Sequence, residues 1–494
     1  MAVVVAIDAG TTGVRALAVA EDSTRRAWSY REFPQHFPRP GWVEHDADEI
    51  WEAVVATTGE VVAAVDEPVA AVGVTVQRET VVAWDRRTGR PRHRAIVWQD
   101  RRTAARCDAL KEDGHLPRVR ELTGLVLDPY FSASKLEWLL TEGGVEVDAD
   151  LAVGTVDSWI VWKLTGGAAH TTDPSNASRT LLFDIGLCRW SDELCALFGV
   201  PRRALPEIRP SSGRVGVTTG SSPLGAGIPV SGVAGDQQAA LFGQACFEPG
   251  MVKATHGTGS FVLVNAGPAC PPPAEGLLTT VAWTLADATT AYAVEGAVFV
   301  TGATIGWLRD GLGILGDVAE VGPLAESIPS SEGVCLVPAF AGLGSPWWDP
   351  WARGAVVGLT RGTGRAHLAR AAVEAIAHQT RDVVDAMVAA TGRAPTVVRV
   401  DGGASVMDLL LQLQADQLGV PVARPVLTET TAVGAAWLAG LGEGVWSSRD
   451  ELAASWRAER EVEPRAPRAV ADARHREWLR AVERARGWAK PEDA

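Results

Sequence analysis

Apolar positions along the chain fall into two periods. Short runs rich in Val, Ala and Ile, such as VVVAIDA near the N-terminus, AAVGVTV (70–76), AIVW (95–98), IPVSGVAG (228–235) and TVVRVDGG (396–403), have the length and composition of buried strands. Between them lie stretches with helical spacing. From Asp46 to about Val65 the residues Ile50, Val54, Val61 and Val65 share one helix face, Asp46 supplies an N-cap, and Glu49 three residues on completes a capping-box pattern. Trp478, Leu479, Val482 and Trp488 recur at roughly helical spacing in the Arg-, Glu- and Ala-rich stretch 447–488, which reads as a packing helix. Alternating strands and helices predict an α/β fold.

Two places break this alternation in the same way. VVVAIDAGTTGVRALAVA joins two β-rich runs through a Gly/Thr turn, and MVKATHGTGSFVLVN (251–265) does so again after the break Phe247-Glu248-Pro249-Gly250. Two similar hairpins predict two similar halves, residues 1–248 and 249–494. The longest uncharged stretch, Val215 to Gly235, is full of Gly, Ser, Thr and Pro and reads as loop.

With 494 residues the chain is long enough for two to four domains, and 47% hydrophobic with 21% charged residues excludes a disordered protein. The formal net charge of −14 works against binding nucleic acid or anionic membrane surfaces. Six cysteines without a C-x-x-C pair argue against a zinc site or a disulfide framework and predict reduced thiols in a cytoplasm. The first apolar run is broken by Asp8, and no later one reaches 18 residues, so neither a signal peptide nor a membrane span is expected.

The residues able to carry chemistry gather at strand ends. In each Gly/Thr hairpin the glycines let backbone N–H groups approach phosphate oxygens, and the threonines add hydroxyl donors. Read singly, each is more often just a turn; a facing pair could grip a polyphosphate from both sides. Asp8 ends the first strand, where a carboxylate either satisfies its own turn or meets a magnesium ion beside phosphates. Asp236 follows an apolar strand and opens the helix-like AALFGQA, as a cap or as a base within reach of a substrate hydroxyl. Gln77, Arg78 and Glu79 come directly after a strand, where α/β folds place ligand groups. Arg78 and Glu79 form either a surface ion pair or a donor and acceptor for a polyol hydroxyl. Trp98 and Tyr130 are core aromatics or apolar walls for the C–H side of such a polyol.

Taken together, DAGTTGVR, FPRPGWVEHD, GVTVQRET, AIVWQDRRT, TGLVLDPYFSASK, GTVDSWIVWKLT, GVAGDQQAALFGQ, HGTGSF, EGAVFVTGATIGWLRD, VPAFAGLGSP, ARGAVVGLTRGT and RVDGGAS resemble, in order and over nearly the whole chain, the FGGY carbohydrate kinase family, and within it the members that phosphorylate glycerol. The resemblance implies two actin-like ATPase (ribonuclease H-like) domains with an interdomain cleft, and MgATP-dependent conversion of glycerol to sn-glycerol 3-phosphate. It implies that Arg78, Glu79, Trp98, Tyr130, Asp236, Gln237 and Phe261 hold glycerol, with Asp236 as general base. On the nucleotide side it implies Thr11, Thr12, Arg15, Thr258, Gly302, Gly306, Gly403 and Met407, with Asp8 at the magnesium-associated position. Glycerol and ATP/ADP are the implied partners, in a cytoplasmic homo-oligomer (dimer or tetramer).

Three departures stand out. Ala9 replaces the amide of the family's D-Q-G-T-T, Gly306 replaces a glutamine, and Met407 replaces an asparagine. Two missing neutral hydrogen bonds would cost about 1 to 3 kcal/mol of nucleotide affinity. The alternatives at this point are a kinase for another polyol or sugar of the same family, or a catalytically weak nucleotide-binding regulatory protein.

Overall fold

The protein, described here by a computed structural model, is defined over residues 2–490. Its two largest sheets repeat one strand order. The first runs Arg25–Glu32, Gly13–Ala20, Val3–Ala9, Val69–Val76, Pro229–Gly235, Ser212–Val217. The second runs Leu278–Thr284, Thr290–Val298, Ser260–Gly267, Val252–His256, Val398–Asp401, Val422–Pro425, Ala458–Val462. In both, the strand that opens the Gly/Thr hairpin sits at the centre, pairs antiparallel with its hairpin partner, and pairs parallel with a strand reached by a long crossover. The doubled hairpin thus marks a doubled fold, an α/β architecture of the actin-like ATPase type.

Parallel strands place their carboxyl ends at one edge of a sheet, and ligands bind outside that edge. In the first sheet Val3–Ala9, Val69–Val76 and Pro229–Gly235 all end there, followed at once by the Gly10–Thr12 turn, by Gln77–Glu79 and by Asp236. A smaller four-stranded sheet, Glu44–His45, Ala95–Ile96, Val81–Asp85, Leu151–Thr155, takes its first strand from before Val69–Val76 and the other three from the crossover to Pro229–Gly235, and that crossover carries Trp98, Tyr130 and Arg179 over the same edge.

Two helices lock the halves together. Asp236–Gly243 leaves the first sheet, Thr430–Gly442 leaves the second, and the two pack against each other. The contact is backbone to backbone. A Cβ on Gly434 would lie 1.8 Å from the Ala239 carbonyl oxygen, and one on Gly243 would lie 2.0 Å from that of Thr430. Thr430–Gly442 also lies on the first sheet, where Gly73 leaves no room for a side chain beneath Ala435. This explains why TTAVGAAWLAGLG carries no charged face: Thr430 and all residues from Ala432 to Gly440 are buried.

The structure corrects four local expectations. Of Val215 to Gly235 only residues 218–228 are loop, with Gly225 and Gly227 at positive φ; the flanks belong to strands Ser212–Val217 and Pro229–Gly235, and Gly232 sits where helix Thr430–Gly442 approaches. AIVW contributes only Ala95–Ile96 to a sheet. The first helix spans Ala47–Ala63 with Asp46 as its cap, but Glu49 turns away to His36, 3.1 Å off, and closes no capping box. The stretch 447–488 holds the edge strand Ala458–Val462 between helices Arg449–Ser455 and Arg468–Ala485, and Trp488 lies 75% exposed beyond the last. All six cysteines are free, and no helix among the described residues is long and apolar enough to cross a membrane.

Candidate active site

The Asp8 carboxylate stands at the end of the central strand, opposite Arg15 in the hairpin register. Burial pushes its acid up to about 7, Arg15 works against that shift, and the Asp236 charge adds to it. The turn that follows is braced from behind. Gln77 donates its backbone N–H to Ala9 at 2.8 Å and its side-chain amide to the Gly10 carbonyl at 3.1 Å. The same amide meets His45 Nδ1 at 3.2 Å, and His45 Nε2 reaches Gln35 Oε1 at 2.6 Å. Burial lowers His45 to about 4, so it remains a neutral link near pH 7. Thr11 Oγ1 accepts a hydrogen bond from Trp98 Nε1 at 2.9 Å, while Thr12 Oγ1 lies 3.3 Å from the Tyr30 hydroxyl.

Beside this turn lies a buried charge cluster. Arg78 makes a two-point contact with Glu295, with Nη1 to Oε2 and Nη2 to Oε1 at 3.1 Å. Arg179 donates Nε to Glu79 Oε1 at 2.6 Å and Nη2 to Glu295 Oε1 at 3.0 Å. Two guanidiniums against two carboxylates leave the cluster neutral, which is what burial of four charges requires. Burial tends to raise the Glu295 acid, but Arg179 and Arg78 outweigh it and hold it at about 2. For Glu79 burial prevails over the same two arginines, and its acid lies above the usual carboxylate range. Glu79 also adopts φ 63°, a left-handed backbone that a side chain other than glycine takes only when its surroundings enforce it. Ser132 Oγ helps by donating to its carbonyl at 3.1 Å.

Arg78 joins this cluster to Asp236. Its Nε lies 3.3 Å from Asp236 Oδ1, which also accepts the Gln237 backbone N–H at 2.8 Å, while Gln237 Nε2 donates to Oδ2 at 3.2 Å. Asp236 keeps 29% side-chain exposure, whereas Arg78 keeps 2%. A carboxylate held from behind and open in front can take a proton from a hydroxyl. The aromatic residues enclose the same space: Tyr130 OH lies 3.4 Å from Arg78 Nη2, the Tyr130 and Trp98 rings meet edge to face at 5.5 Å, and the Arg78 guanidinium lies 5.7 Å from the Phe261 ring centre. The seven residues expected to hold the polyol, together with Thr11, are therefore linked by direct contacts.

Of the residues expected on the nucleotide side, Thr11, Thr12 and Arg15 belong to the first hairpin and the others to the second half. The Gly257–Gly259 turn packs against Gly302 and Gly402, whose added Cβ atoms would each lie 2.6 Å from a carbonyl oxygen, of Gly257 and His256 respectively. Thr258 accepts at its carbonyl from the N–H groups of Thr301 and Ala303, so the turn sits on the N-terminal end of helix Gly302–Asp310. That end favours anions. Gly306, on the same helix, and Gly403 have nothing within 4 Å of an added Cβ, and both border open space. Met407 caps helix Asp408–Leu418 and lies against Gly322, 3.6 Å from an added Cβ there.

Arg179 and Glu295 complete the cluster but do not stand out from short motifs. The available signal was a lone carboxylate inside the apolar strand TAYAVEGAV.

The family models for the N-terminal and C-terminal domains of the FGGY family of carbohydrate kinases match residues 3–243 and 252–443. The chain belongs to the FGGY family of carbohydrate kinases. It is 54% identical over 498 residues to a protein of Bordetella parapertussis named glycerol kinase, covering 99% of this chain and 98% of that one. A glycerol kinase of Dechloromonas aromatica is 53% identical over 98% of both chains. Among solved structures, glycerol kinase of Plasmodium falciparum with ADP superposes with a TM-score of 0.93 at 32% identity, covering 98% of each chain. A xylulose kinase of Lactobacillus acidophilus shares the fold, with a TM-score of 0.88 at 20% identity over 98% of this chain and 97% of that one.

Proposed function

We propose that the protein is a glycerol kinase, transferring the terminal phosphoryl group of ATP to a primary hydroxyl of glycerol to give sn-glycerol 3-phosphate. The observation that carries this reading is full-length similarity above 50% to proteins named glycerol kinase. It is supported by an edge at which a guarded carboxylate, a charge cluster and aromatic walls converge. Glycerol is the acceptor; the similarity to xylulose kinase extends to the fold alone.

The mechanism we propose assigns each side chain a part. Arg78 and Glu79 orient the polyol by donating to and accepting from its hydroxyls, and Trp98, Tyr130 and Phe261 cover its carbon side. The attacking hydroxyl gives its proton to Asp236 Oδ2. Its oxygen bonds to the γ-phosphorus as the bond to the β,γ-bridging oxygen breaks, and ADP leaves. Transfer of this kind depends on alignment and on charge stabilisation, so rigid backing of Arg78 and Glu79 counts directly toward rate. Thr11, Thr12, Arg15, Thr258, Gly302 and Gly403 surround the phosphates and adenosine, with Gly306 and Met407 at the nucleotide's other end.

The residues at Asp8 suit a magnesium ion. This buried carboxylate is only partly compensated by Arg15, and a cation would relieve it. No cluster of three or more metal-binding side chains occurs among the described residues, and magnesium commonly takes one or two carboxylates with phosphates and water. When bound with ATP, magnesium neutralises charge on the phosphates that the acceptor oxygen must approach.

We further propose that residues 1–248 and 249–494 form the two lobes that close on the substrates, of which residues 1 and 491–494 lie outside the described part, and that the enzyme works in the cytoplasm as a homo-oligomer. The test is ADP release with glycerol beside dihydroxyacetone, erythritol, xylulose, gluconate and no acceptor. Turnover with glycerol well above the others is expected; preference for another acceptor overturns the substrate, and silence with all of them, while ATP still binds, favours a regulatory protein.

A further inference from the structure

Lys253 is a fully buried cation that lies outside both the phosphate turns and the charge cluster. It belongs to strand Val252–His256 of the second sheet, yet its ammonium donates across the lobes to Gln237 Oε1, and to Thr255 Oγ1 at 2.9 Å. An ammonium only donates. The Gln237 amide must therefore turn its oxygen to Lys253 and its NH2 to Asp236, as the 3.2 Å bond to Oδ2 records. With Oδ1 already taken by the Gln237 backbone and Arg78, one lone pair of Oδ2 is left for an incoming proton. A Gln237 amide released from Lys253 could flip and set its oxygen against the carboxylate.

We propose that Lys253 is a positioning residue for phosphoryl transfer, reaching from the second lobe to fix the Gln237 amide so that Asp236 presents a free lone pair to the acceptor hydroxyl. This rests on the glycerol kinase reading above. The groups facing Lys253 make its proton adjustable. Burial lowers its acid to about 8, Asp401, Asp236 and Glu295 favour the ammonium, Arg78 opposes it, and the nearby Cys246 and His256 are held neutral by burial. A neutral amine can accept as well as donate, so the constraint on Gln237 weakens as pH rises through about 8.

Steady-state kinetics of the full-length enzyme test this. Lys253→Met should lower kcat by about 10- to 100-fold and raise the glycerol KM with the ATP KM unchanged, as a small misplacement does. The loss should not multiply in the Lys253→Met/Gln237→Leu double variant beyond Gln237→Leu alone. The wild-type kcat should fall above pH 8, and that limb should be absent from Gln237→Leu, a readout available even where Lys253→Met does not fold. Wild-type kcat and glycerol KM in Lys253→Met, fully multiplicative losses, or an alkaline limb retained in Gln237→Leu would each overturn the inference. A wild type inactive on glycerol would instead overturn the activity reading, and this inference with it.

Discussion

Asp236 and Asp8 are two carboxylates at one sheet edge, proposed as the base and as the magnesium-side residue, and each yields a prediction. Asp236→Asn preserves shape but cannot take a proton, so kcat should fall by about 10²- to 10⁴-fold in a protein of unchanged thermal stability. Asp8 is costly to ionise where it stands. Its folded acid, raised from 3.8 to about 7, lies above its unfolded value, so stability from this group is full below pH 3.8 and is lost as pH rises toward 7. Asp8→Asn should accordingly raise the Tm of the ligand-free protein at pH 8 and leave it nearly unchanged at pH 4, while kinase activity is lost; a Tm difference independent of pH in differential scanning calorimetry would count against it. At this scale the residues adjoining strand ends were legible in the sequence, because a polar tripeptide with two charges after an apolar strand is conspicuous. Arg179 and Lys253 were not: their partners lie 100 and 16 residues away, and only the folded chain shows that they face the same site.

The elements carry function through how closely they approach. The helices Asp236–Gly243 and Thr430–Gly442 touch through glycines, so Asp236, the proposed base, sits on a helix clamped at the junction of the halves. Gly434→Ala would drive its Cβ into the Ala239 carbonyl and should destabilise the fold by about 1 to 3 kcal/mol or more, visible as a lower denaturation midpoint. Gly306 is the contrasting case, on a helix but facing open space. Gly306→Gln has room for its side chain and should lower the ATP KM, the more so together with Met407→Asn; an unchanged ATP KM would show that other contacts compensate. Element types and the doubled hairpin were readable from periodicity. Within 215–235 the strand Pro229–Gly235 was readable in IPVSGVAG, but the end of Ser212–Val217 was not, since a short run interrupted by Gly213 and Gly216 looks in sequence like loop.

At the scale of the whole molecule the design is a repeated sheet, in which the Gly10–Thr12 turn, Arg78, Glu79 and Asp236 follow strands of the first sheet while Phe261, Glu295 and the Gly257–Gly259 turn come from the second and meet them. Repetition was visible in the sequence; the exchange of helices across the junction was not, because Thr430–Gly442 follows the second sheet in the chain and packs on the first. The charge of −14 bears on solubility but is silent on the buried cluster, where arginines and carboxylates balance locally. The most direct test of the account is phosphorus NMR of the products formed from MgATP and glycerol by wild type and Asp236→Asn side by side. The account predicts glycerol 3-phosphate and ADP in equal amounts from the wild type and almost none from the variant over the same time. Glycerol 3-phosphate from both at similar rates would contradict Asp236 as the base, and ADP with inorganic phosphate in place of glycerol 3-phosphate would contradict the glycerol kinase reading itself.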